Sequence, residues 1–66
     1  MNSDIFKGRW HEFKGSVKSR WAKVTDDDLD YIAGRAEQLA GVLQKRYGYE
    51  REQAERETKS FMDSLN

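Results

Sequence analysis

The chain contains no cysteine and no proline, and its single histidine is His11. Without cysteine there is no disulfide, no thiolate metal site and no thiol nucleophile. Without proline, nothing obliges a helix to break. No apolar run approaches the roughly 18 residues that a membrane span requires, and no hydrophobic leader follows Met1. The expectation is a cytoplasmic protein with no membrane partner. An excess of one charge is missing too, since 12 Lys and Arg balance 12 Asp and Glu. Leu, Ile, Val and Phe amount to 12 residues, or 18% of the chain, just below the usual globular floor. Disordered chains usually add a high net charge, which is absent here. What is present is 66 residues, 36% charged and 36% hydrophobic, with a mean hydropathy of −1.03. That is enough for one small domain over residues 1–66.

Apolar residues recur at helical spacing three times. The first stripe is Phe6, Trp10, Phe13, Val17, Trp21 and Val24. The second is Leu29, Ile32, Ala36, Leu39, Leu43 and Tyr47. A weaker third runs Ala54, Thr58, Phe61 and Leu65. Every step is three or four residues and none of the stripes alternates with period two, so the chain is expected to be all-α.

The boundaries are marked unequally. Thr25 is a good N-cap, and Asp26, Asp27 and Asp28 place negative charge on the positive end of the following helix. Val24 and Leu29 stand where a hydrophobic staple would fix the approach of the chain. Asp28 replaces the Glu or Gln of a full capping box and gives no firm expectation of the reciprocal bond. Lys45 and Arg46 suit the last turn of the second helix, and Gly48 suits a left-handed position after Tyr47. Ser3 and Asp4 open the first helix as Thr25 opens the second. Near Glu50 no Ser, Thr, Asp or Asn cap is available, so the third start is the least defined.

A weak repeat relates the first two helices at an offset of 26 residues. Gly8, Arg9, Gly15 and Arg20 match Gly34, Arg35, Gly41 and Arg46, and Phe6, Phe13, Val17 and Trp21 match Ile32, Leu39, Leu43 and Tyr47 in kind. Duplication and two helices built to one plan both account for it. At 100° per residue, Gly8 and Gly15 fall opposite the first stripe, as Gly34 and Gly41 do the second. A bare backbone face admits close approach of a helix or a ligand; equally, it is simply exposed, low-propensity helix. Gly8, Gly15, Gly34 and Gly41 are therefore one candidate contact face. Trp10, Phe13, Trp21, Leu39 and Leu43 are the expected centre of a thin core, and the fold is expected to be marginal.

No residue set reads as an active site. His11 lies off the apolar stripe and has no second His or Cys with which to hold zinc. Ser3, Ser16, Ser19, Ser60 and Ser64 have no base and orienting partner. The run Asp26, Asp27, Asp28 with Asp30 lacks the twelve-residue ligand spacing, glycine turn and closing Glu of a calcium loop. Gly8 and Gly15 sit in a helical pattern, not in a phosphate loop. No catalytic residue, cofactor or metal is expected. Charge is uneven along the chain, however. Residues 1–24 carry Lys7, Arg9, Lys14, Lys18, Arg20 and Lys23 for a net +4, and residues 25–66 a net −4. The basic face with two tryptophans invites a nucleic-acid reading. Burial of both tryptophans in the stripe and the acidic remainder weigh against it.

Several segments together resemble the CsbD-like bacterial stress proteins: Lys7-Gly8-x-Trp10, Phe13-Lys14-Gly15-x-Val17-Lys18, Trp21-x-Lys23-Val24-Thr25-Asp26-Asp27-Asp28-Leu29, Gly34, Gln38-Leu39-x-Gly41 and Gln44-x-Arg46-Tyr47-Gly48. The resemblance covers about residues 6–61, with Ser16, Ala36 and Ala40 as minor departures. It implies a small protein made under general stress, without a catalytic or binding residue to carry over. It also implies a bundle similar to SAM-like domains, with two helical hairpins packed crosswise. The expectation is thus a bundle of three to four helices, with any extra break at Gly15 or near Tyr49. Function is expected to be non-enzymatic, through abundance or weak protein contacts. The alternatives are a nucleic-acid-associated module on the basic face and a weak homo-oligomer pairing the basic first helix with the acidic third.

Overall fold

A computed structural model describes residues 3–65, without the side chain of Ser3, so the cap expected there lies outside the described residues. Five helices follow one another: α1 (Ser3–Gly8), α2 (Trp10–Arg20), α3 (Asp26–Ile32), α4 (Ala36–Tyr47) and α5 (Arg51–Asp63). The expectation of three to four helices is corrected to five. The apolar periodicity is right, but two stripes each run through a break. The first break is at Arg9, and the second at Ala33, Gly34 and Arg35. Gly15 sits inside α2 and breaks nothing.

Both breaks fall on the repeated Gly-Arg pair. Arg9 caps α2 and Arg35 caps α4, in each case without a side-chain cap hydrogen bond to the helix backbone. At the second break Ala33 (φ 47°) and Gly34 (φ 80°) are left-handed, and the Arg35 N–H donates to the Ile32 carbonyl at 2.9 Å. Gly34 is therefore not a helix-interior residue. A Cβ placed on it would lie 2.7 Å from the Lys7 Cα and 3.0 Å from the Trp10 Cβ. Backbone cannot yield to such a contact. The second junction thus rests directly on the first, and only glycine satisfies both the φ and the close approach.

The start of α3 is more fully capped than its sequence promised. Thr25 Oγ1 accepts from the Asp28 N–H at 3.1 Å, and Asp28 Oδ2 accepts from the Thr25 N–H at 3.0 Å. Asp28 closes the box despite being one methylene shorter than Glu. Gly48 ends α4 at φ 70°. Glu50 precedes α5 without a side-chain cap bond.

Packing is not that of two crossed hairpins. Helix α4 lies against both α3 and α5, most extensively against α5, while α1 and α2 contact one another. Beyond the Gly34 contact, the α1–α2 arm joins the rest through side chains. Phe6 is fully buried and meets Trp10, Phe13 and Phe61 at centroid distances of 5.4, 6.0 and 6.4 Å; Phe61 also meets Trp21 at 5.1 Å. Phe13, Trp21, Leu39 and Leu43 are buried as expected, whereas Trp10 is half-buried at the edge of the cluster. Val42, Ala40 and Met62, which lie off the stripes, complete it.

Candidate interaction surface

Arg46, in the last turn of α4, reaches back to the first turn of α3. Its Nε and Nη2 donate to Asp28 Oδ2 and Oδ1 at 2.6 and 3.0 Å. Asp28 is buried and also closes the capping box, so one carboxylate joins two helices. The Arg46 hydrogen bond holds the Asp28 carboxyl well below the usual carboxylate range; the Thr25 bonds add to this and partial burial opposes it. The arrangement is structural, for both carboxylate oxygens already accept from the protein's own donors. Sequence reasoning assigned Asp28 to the helix end alone and missed its partner 18 residues on; the repeat equivalence of Arg46 with Arg20 gave no warning.

The six basic residues of the amino-terminal third do not present one open face. Arg9 pairs with Glu12 at 3.0 Å, and Lys18 with Asp26 at 2.6 Å. Arg20 lies 3.9 Å from Glu57 and stacks over Trp21 and Phe61. Lys23 stands over the Tyr47 ring, and its backbone N–H donates to the Tyr47 hydroxyl at 3.2 Å. Lys7 and Lys14 have no ion-pair partner among the described residues. The Lys18 bond lowers the pKa of Asp26, and the Arg9 bond that of Glu12.

The four glycines are likewise not one surface. Gly34 is buried in the junction contact, whereas a Cβ on Gly8, Gly15 or Gly41 would meet nothing within 4 Å. Two of them open onto grooves beside α3. Gly15 lies in a shallow groove between α2 and α3 with Lys14, Lys18, Leu29 and Asp30. Gly41 floors a groove of about 520 Å³ between α3 and α4, walled by Tyr31. Tyr31 is 61% exposed and, with Ile5, is one of two large apolar residues so exposed among those described. A third groove, between α4 and α5, is floored by Ala36, Ala40, Thr58 and Met62. The buried Thr58 hydroxyl has no hydrogen-bond partner among the described residues. Arg51 spans its rim between Glu55 at 3.2 Å and Glu37 at 3.9 Å.

Among the described residues no group of three or more His, Asp or Glu is placed to hold a metal, and no helix is long and apolar enough to cross a membrane. His11 is exposed on α2. Among the described residues the fold presents helix grooves and several paired surface charges.

Against known protein families, residues 4–56 match the profile described as CsbD-like. A UPF0337 protein of Pseudomonas aeruginosa is 51% identical over 65 residues, spanning 98% of this chain and all of that one. Another from Pectobacterium atrosepticum is 52% identical over 63 residues, or 96% and 91% of the two chains. The UPF0337 protein YjbJ of Escherichia coli K12 is 53% identical over 57 residues, or 86% and 83%.

Proposed function

The chain belongs to the CsbD-like family of small bacterial proteins, and from that premise we propose that it acts in the cytoplasm as a single domain, through its amount and through weak protein contacts. Members of this family are bacterial stress-response proteins and are not enzymes. One observation supports contact over chemistry. Several surface charges are paired within the molecule, by Arg9–Glu12, Lys18–Asp26, Arg20–Glu57 and Arg51–Glu55, and the whole sums to zero. A balanced surface neither attracts a polyanion over distance nor repels further copies of itself. A surface of zero net charge favours weak contact between neighbouring molecules.

Engagement of Arg9, Lys18, Arg20 and Lys23 within the fold weighs against nucleic-acid binding, which needs Lys and Arg free to neutralise phosphates. The experiment is survival of stressed cells at graded expression, with wild type, Lys7→Gln/Lys14→Gln and Trp21→Ala compared. Survival is expected to follow the amount of folded protein, to be unchanged by the double lysine variant and to be lost with Trp21→Ala. Survival that falls with the lysine variant at equal protein level would overturn the reading.

A further inference from the structure

The α3–α4 groove carries its own counterpart. Tyr31 projects from α3 as an exposed aromatic knob, and Gly41 on α4 leaves a bare backbone hole beside it, both lining one groove of about 520 Å³. On the same groove stand Asp27 and Lys45, opposite charges with no ion-pair partner among the described residues. Beneath them the Asp28–Arg46 bridge fixes α3 against α4, so knob and hole are held at constant spacing. A surface that places a knob beside a hole and an anion beside a cation meets the requirement of an isologous contact: residue i faces j, and j faces i. The α4–α5 groove has no such knob, and its Arg51 is already engaged by Glu37 and Glu55.

We propose that this groove is the contact of a weak two-fold self-association. Tyr31 of one copy covers the partner's Gly41, and Asp27 faces the partner's Lys45. The proposal rests on the reading of weak protein contacts and names the partner as a second copy of this chain. It also gives the bare backbone at Gly41 a use, since any larger residue there would fill the hole. The association is weak because the patch is small. Helix α3 has seven residues, about 10 Å of helix, whereas a standard interface takes about 800 Å² from each partner. That would be about a fifth of the 4234 Å² this molecule exposes.

Sedimentation equilibrium of the purified chain, from micromolar to millimolar, tests it. The wild type is expected to gain mass reversibly with concentration. Gly41→Met is expected to remain monomeric while melting no lower than wild type, because the added side chain meets nothing within the fold. Asp27→Lys and Lys45→Asp should each weaken association several-fold, and the double reversal should restore it. The double variant keeps the test decisive if either single change disturbs α3 or α4. A chain that stays monomeric at millimolar concentration overturns the proposal, as does association indifferent to Gly41→Met. Either result leaves the survival assay free to judge the stress reading on its own.

Discussion

At Thr58 a hydroxyl is buried in α5 without a partner among the described residues, a cost that an apolar isostere removes. Thr58→Val is expected to stabilise the fold by about 1 kcal/mol, measured by urea denaturation; a loss of stability would mean that the hydroxyl is bonded after all. The glycines divide by the same reasoning. Gly15→Ala and Gly41→Ala add a methyl to open space on a helix and should each stabilise by up to about 1 kcal/mol. Gly34→Ala drives a Cβ into the Lys7 backbone at positive φ and should destabilise by more than about 1 kcal/mol. Thermal melts of the three variants should rank Gly34→Ala below wild type and the other two above it.

The cap at α3 carries the pH dependence of the element. The Asp28 pKa is depressed in the folded state, so its contribution is fully present above the unfolded value of about 3.9. It is lost as the pH falls below that value towards the folded pKa. Stability measured between pH 5 and 2 should therefore fall more steeply in wild type than in Asp28→Asn, which has no carboxylate there to protonate. Equal slopes would contradict the assignment. At neutral pH, Thr25→Ala should cost about 0.5–2 kcal/mol through the same cap. The Thr25 cap and the Gly48 terminus were legible in the sequence because each is a local signal that needs no neighbour. The breaks at Arg9 and Gly34 were not, because Phe6 to Trp10 and Ile32 to Ala36 keep helical spacing across them. Ala33, a strong helix former, ends α3 in a left-handed conformation, and the adjoining Gly34 packs against the Lys7 backbone, a tertiary contact. The one available clue was the Gly-Arg repeat. It registers both junctions, yet read as a helix it points to the wrong side of the chain. The candidate surface was legible in part. Gly41 stood out for its position opposite the stripe, but the value of Tyr31 depends on α3 and α4 lying side by side.

For the molecule as a whole, one aromatic cluster ties α1 and α2 to α5, in which Phe61 touches both Phe6 and Trp21. Trp21→Ala should cost about 3–5 kcal/mol, enough to abolish the cooperative melt of so small a domain. Around that core the charges sum to zero, and the proposed function rests on contact at the surface. The most direct measure of that claim is the change in backbone amide NMR shifts as the purified protein is diluted from millimolar to micromolar. Shifts that move together at Asp27, Tyr31, Gly41 and Lys45, and hold still on α5, are the expected result. Shifts that do not move, or that move on the Lys7 and Lys14 side instead, would contradict it.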